Sequence, residues 1–172
     1  MIAIILVVAF ILRLISLTQS LWLDEAINVN AAAGLSLKSL ILKYSLGDFH
    51  PPLFHAILRG WILLFGSSEA VVRIPSVILG TLTVYITYLI GQKLFEGKTG
   101  LIAATLIATS PLHIYYSQEA RMYMMAAFLA SLSCYFFITI LEKDSLISWF
   151  GFVTSTTLML YSDYLPYVLI PL

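Results

Sequence analysis

The chain has 172 residues, of which 60% are hydrophobic and 10% charged, with a mean hydropathy of +0.97; ordinary soluble domains carry about 25% charged residues. Nine Lys/Arg balance nine Asp/Glu, which excludes a basic field for nucleic acid and an acidic disordered tail. A single cysteine, Cys134, excludes an internal disulfide framework, and no Cys/His spacing matches a zinc site.

The first apolar run, residues 2–17, is interrupted by Arg13, which is expected to snorkel toward an interface. No basic start precedes this run and further apolar runs follow, so it reads first as a retained helix, with a cleaved signal as the alternative. Residues 18–73 differ from the rest, holding Asp24, Glu25, Lys38, Lys43, Asp48, Arg59 and Glu69. Within them Leu37, Leu40, Ile41 and Tyr44 follow helical spacing behind a break at Gly34 and an N-cap candidate, Ser36. That pattern predicts a short amphipathic helix lying in the interface. Pro51 and Pro52 then open an apolar segment at 53–65, closed by Gly66-Ser67-Ser68. Its length around Arg59 suits an interfacial or re-entrant helix better than a full span, since a hydrocarbon core of about 30 Å needs roughly 20 residues at about 1.5 Å each; were it to cross, the later loops would invert.

Uncharged runs follow at 74–92, 99–118, 122–141 and 145–162, each close to that length, and 165–172 reads as the start of another. Ser110-Pro111 is expected to end or kink the 99–118 run. If 53–65 does not cross, Lys93, Lys98, Lys143 and the N-terminus share one side. Short Lys-rich loops are normally cytoplasmic, which puts the long loop, the 118–123 turn and Asp163 on the outer side. The sequence therefore predicts an all-α fold: a polytopic transmembrane helical bundle of about five to six spans. Residues 1–172 form a single membrane module, with 18–73 a large first extracytoplasmic loop of juxtamembrane amphipathic helices.

The polar clusters carry the candidate chemistry. Asp24 and Glu25 follow Trp22 at a helix start; they suit either a solvated first turn or a carboxylate pair able to serve as base or hold a cation. His50, fixed at a corner by Pro51 and Pro52, can contact a phosphate or hydroxyl, whereas His55 reads as structural. Arg73 sits one turn from Glu69, and pairing between them is expected first. Gln118 and Arg121, and Glu119 and Tyr123, have spacings that can share a helical face. Arg121, the one cation between Lys98 and Lys143, either pairs with Glu119 or binds a lipid-linked phosphate.

Taken in order, Trp22-Leu23-Asp24-Glu25, His50-Pro51-Pro52-Leu53, Arg73-Ile74-Pro75-Ser76, Ser110-Pro111 and Tyr116-Ser117-Gln118-Glu119-Ala120-Arg121-Met122-Tyr123 resemble the start of GT-C class membrane glycosyltransferases. These use polyprenyl-phosphate sugars and include the protein mannosyltransferase and aminoarabinose transferase types. The resemblance implies catalysis by Asp24 and Glu25, with Asp24 as base toward an acceptor hydroxyl. It implies donor-phosphate or substrate binding by His50, Arg121, Tyr123, Gln118 and Arg73. Asp163 departs from it, standing where relatives often carry a histidine.

The implied substrate is a polyprenyl-phosphate sugar in the membrane lipid, and the acceptor a glycan, lipid or protein. The active site faces outward at the plasma membrane. No cofactor is required, although Asp24 and Glu25 could hold a divalent metal. Relatives are several hundred residues long, so the chain is expected to be an N-terminal piece of a longer enzyme or to work with a further polypeptide. The contrasting expectation is a truncated or non-catalytic membrane subunit, or lipid-binding scaffold, of the same fold.

Overall fold

The computed structural model describes residues 1–44, 47, 50–95 and 98–164, and among them it is all-α. The last apolar run, at 165–172, lies outside the described residues. Helices α1 (Ile2–Leu14), α2 (Leu23–Gly34), α3 (Leu37–Ser39), α4 (Leu53–Phe65), α5 (Glu69–Leu94), α6 (Thr99–Thr109), α7 (Pro111–Ser117), α8 (Tyr123–Glu142) and α9 (Leu146–Ser162) follow one another. Two of them, α5 and α8, are long and apolar enough to cross a membrane.

Helix α5 is the central element, packed against α1, α6, α7 and α8, while α9 packs on α8 and α2 on α4. Small residues let the helices approach. A Cβ on Gly91 would lie 2.6 Å from the Cα of Gly100, so α5 and α6 meet there almost backbone to backbone, the packing device favoured where lipid supplies no hydrophobic drive. Ala9, Val84, Ala104 and Ala108 close the α1–α5–α6 contact. A second cluster joins Val29, Phe54, Leu58, Val72, Ala120, Met122 and Met159. Outside, the bundle presents apolar side chains: Ile102, Leu106, Leu146 and Phe150 are all exposed while Arg13, Glu25 and Arg73 are buried. That inversion of the soluble pattern suits a lipid surround.

The bundle has two distinct ends. Lys93 and Glu142, at the C-terminal ends of α5 and α8, form a close ion pair, and Met1 and Lys98 border one shallow cavity. The opposite end gathers the 16–25 turn, the start of α5 and the 117–123 turn. Helix α4 belongs wholly to that second end. Its buried Phe54 and Leu58 pack with Ala120 and Met122, and its Trp61 indole donates to the Val71 carbonyl at 2.8 Å.

Several sequence expectations are corrected here. The amphipathic helix expected from Leu37 to Tyr44 is a three-residue α-turn, capped as expected by Ser36, running into a π-turn at Leu40–Tyr44. Of its apolar stripe only Leu40 is buried against the protein; Leu37 and Ile41 are exposed. The 99–118 run is two helices, broken as expected at Ser110-Pro111, with the Ser110 hydroxyl capping α7.

Arg13 does not snorkel; it is 0% exposed. The break explains why. Pro111 has no N–H to give the Ile107 carbonyl, which keeps only a long bond from the Ser110 amide at 3.4 Å, and helix-end acceptors in an apolar medium must be satisfied internally. Arg13 donates to the carbonyls of Ile107 and Ala108 (3.3 and 3.2 Å), to Ser117 Oγ (3.2 Å) and to His113 Nδ1 (2.8 Å). Gly80 leaves room for this, because a Cβ there would lie 2.2 Å from Ser117 Oγ.

Candidate functional site

The turn from α1 into α2 builds one wall of the site. Ser16 has φ +64°, a left-handed conformation that costs a non-glycine residue energy and recurs at functional turns. The chain then exposes the carbonyls of Leu17, Gln19 and Ser20, and Arg73 from the first turns of α5 donates to all three, at 2.8, 2.7 and 3.4 Å. Glu25 answers Arg73 with both carboxylate oxygens, at 2.9 and 2.5 Å. The same carboxylate accepts from the Ala120 amide at 2.7 Å and reaches back to the Trp22 amide at 3.4 Å, half of a capping box. Glu25 is 0% exposed. Pairing was expected between Arg73 and Glu69; Glu69 is exposed instead, and Arg73 pairs with Glu25. Burial is the reason, since a bidentate pair hidden from water interacts more strongly than a solvated helical pair one turn apart.

Asp24, one residue earlier, has the opposite surroundings. Its side chain is 42% exposed and meets Arg121 Nη1 at 2.9 Å, while the Arg121 side chain is 7% exposed. Asp24, not Glu119, is therefore the ion-pair partner of Arg121. The guanidinium is further held by the Tyr123 hydroxyl at 3.0 Å and lies over the rings of Trp22 and Tyr123, 5.7 and 5.2 Å from their centroids. Its Nε is buried and has no partner among the described residues.

A cavity of about 240 Å³ opens beside the Glu25–Arg73 pair. The 16–25 turn lines one side and Tyr115, Gln118 and Glu119 another, with Arg73 between their sequences. Gln118 ties the second wall to α1 by donating to the carbonyls of Leu12 and Ile15, at 3.2 and 2.7 Å. Glu119 is 6% exposed, and its Oε2 has no partner among the described residues. Burial pushes its carboxyl above the ordinary glutamate range, against a lowering by the Tyr115 hydroxyl that hydrogen-bonds it; neighbouring Glu25 also raises it, and Arg121 and Arg73 lower it.

The structure thus brings together Asp24, Glu25, Arg73, Gln118, Arg121 and Tyr123, which come from three stretches of sequence. His50 stands apart, half-buried at the bend that opens α4 and outside the cavity lining. Asp163 is buried at the end of α9 and does not line the cavity either. His55 is fully buried, its Nε2 3.1 Å from the Asn28 amide oxygen, as a structural histidine should be. Glu119 is the residue that sequence reasoning passed over. A carboxylate between glutamine and alanine in a helix turn carries no local mark of burial. Among the described residues no three His, Cys, Asp or Glu side chains are grouped to hold a metal ion.

An all-helical bundle with apolar outer faces and buried arginine–carboxylate pairs at one end has the character of a membrane protein. The sequence model of the dolichyl-phosphate-mannose-protein mannosyltransferases matches residues 49–172, and the chain belongs to that family of membrane glycosyltransferases. The match takes in His50, Arg73, Gln118, Arg121 and Tyr123, and begins after Asp24 and Glu25. No curated protein and no solved structure matches the chain.

Proposed function

We propose that this protein transfers a sugar from a polyprenyl-phosphate donor to an acceptor hydroxyl at the extracytoplasmic face of the plasma membrane, with Asp24 as the base. One observation carries the reading: of two adjacent acids, Asp24 alone is open to solvent, and it lies 2.9 Å from a cation that aromatic rings hold in place. Asp24 takes the proton as the acceptor oxygen bonds to the anomeric carbon. The bond from that carbon to the phosphate oxygen breaks, and polyprenyl phosphate leaves with the electron pair. Arg121 faces the charge that builds on the phosphate, and its unpartnered Nε is a donor in reserve. Glu25, its oxygens taken up by Arg73 and the Ala120 amide, positions the turn and does not exchange protons. His50 and Tyr123 complete the phosphate side, Tyr123 through Arg121.

The membrane supplies the rest. A polyprenyl tail keeps the donor in the plane of the site, cutting the entropic cost of encounter. With the Lys93, Lys98 and Lys143 end cytoplasmic, the site end faces outward. In this reading α1, α5, the broken α6–α7 pair, α8 and α9 cross, and α4 lies along the outer boundary, its buried face packed with Ala120 and Met122 at the site end. A divalent metal at Asp24 would have to compete with Arg121, and no step above is routed through one.

The test is transfer of label from a polyprenyl-phosphate sugar, beginning with the mannose donor of the family's description. Asp24→Asn is expected to lower turnover by roughly 10²–10⁴-fold while leaving thermal unfolding in detergent within about 1 kcal/mol. Equal turnover in wild type and variant would remove Asp24 from the mechanism.

A further inference from the structure

The Gln118 side chain offers two N–H donors and one acceptor, and the fold spends both donors on α1. Its Nε2 lies 3.2 Å from the Leu12 carbonyl and 2.7 Å from the Ile15 carbonyl. Carbonyls only accept, so these partners fix which way the amide points. They belong to the last turn of α1 and its C-cap, where a helix has no further N–H for its own carbonyls. One residue earlier, Ser117 Oγ takes a bond from Arg13 Nε at 3.2 Å. The end of α7 is therefore bolted to the end of α1 through two consecutive residues.

The Gln118 bonds close a ring. From α1 the chain runs through the turn whose Leu17, Gln19 and Ser20 carbonyls are gripped by Arg73, to Asp24 and Glu25 at the head of α2. Asp24 pairs with Arg121, and Glu25 accepts from the Ala120 amide. Gln118, a short step before Arg121, leads back to α1. Consecutive Cα atoms are about 3.8 Å apart, so Arg121 has little freedom once Gln118 is fixed. Without these bonds the turn keeps its hold on α2 and loses its nearest hold on α1.

We infer that Gln118 is a positioning residue for transfer and not a ligand of the substrate: by tying the turn to α1, its amide sets Arg121 against Asp24. The inference rests on the transfer reading for the step that this register serves. The substrate-binding role implied by the resemblance would have to run through Oε1, the polar atom of the side chain not used in those bonds. Donor and acceptor roles are separable by substitution.

The whole chain in detergent is compared as wild type, Gln118→Lys, Gln118→Glu and Gln118→Met. Lysine keeps donors and loses the acceptor, glutamate does the reverse, and methionine removes both without adding charge. Exchange of the Ala120 amide, buried against Glu25, reads the turn without turnover. It should be about 10-fold or more faster in Gln118→Glu and Gln118→Met, and within about 3-fold of wild type in Gln118→Lys. Equal exchange in all four proteins overturns the inference.

In the transfer assay Gln118→Glu and Gln118→Met should lower kcat about 10-fold or more with KM for donor and acceptor changed under about 3-fold, and Gln118→Lys should keep most of the turnover. A raised KM at unchanged kcat, or a greater loss in Gln118→Lys than in Gln118→Glu, makes Gln118 a ligand and overturns the inference. The two ideas can fail separately. Wild-type transfer with exchange indifferent to Gln118 sinks the positioning role alone. Exchange that follows the donors, in a protein that transfers nothing, sinks the transfer reading and leaves Gln118 as the residue that sets Arg121.

Discussion

Two arginine–carboxylate pairs lie side by side at one end of the bundle, built on consecutive acids, and their surroundings could hardly differ more. Glu25 and Arg73 are 0% and 5% exposed and are saturated by carbonyls and an amide. Asp24 and Arg121 form a pair open on its acidic side, with the cation buried against aromatic rings. The first pair joins α2, the turn before it, α5 and the 117–123 turn, so it organises the site. The second keeps a carboxylate accessible to a reactant. Adjacent residues in a helix point about 100° apart, and that rotation is enough to send one acid into the protein and leave the other at its edge.

The contrast can be broken from its buried half first. Glu25→Gln should destabilise the protein by about 3–5 kcal/mol, because it leaves Arg73 charged and buried with a neutral partner. Thermal unfolding in detergent and the yield of folded protein would register it, and a loss under about 1 kcal/mol would mean that the pair is solvated. The third buried arginine-centred contact, at Arg13, has no carboxylate among its bonded partners. Arg13→Met should cost about 1–3 kcal/mol for each carbonyl orphaned at the end of α6, again read from unfolding in detergent, with Gly80→Ala disturbing the same contact from the other side.

The smallest effect sharpens the picture of the cavity. Glu119 has a folded pKa raised above the ordinary glutamate value of 4.5, chiefly by burial. The folded state therefore binds the proton more tightly than the unfolded chain. Its contribution to stability is complete below the ordinary value and declines as pH rises through the raised one. The groups facing it are Tyr115, Glu25, Arg121 and Arg73. Unfolding midpoints measured upward from about pH 4 should fall more steeply in wild type than in Glu119→Gln; parallel curves would show that the carboxyl is effectively solvated.

Much of this was legible along the chain. Ser36 acts as the cap its position suggested, the helix after Pro51-Pro52 ends where Gly66 begins, and the 99–118 run breaks at Ser110-Pro111. Asp24 and Arg121 stood out as charges among apolar neighbours. The partners did not. Arg73 and Glu25 are 48 positions apart, and the nearer Glu69, one turn away, made the better local guess. Arg13 gave a local signal of snorkelling, yet the carbonyls it serves belong to a helix end more than 90 positions on. Glu119 was visible only as half of an assumed pair with Arg121.

What the sequence determined by itself is the helical class, the apolar runs, their breaks and the small set of charges at one end. Each depends on a few consecutive residues: a missing proline N–H, a capping hydroxyl, the length of an uncharged run. Only the tertiary structure decided which charge is buried and with whom. Burial is set by neighbours that arrive from distant segments, and a carboxylate's role follows from whether those neighbours have already occupied its oxygens.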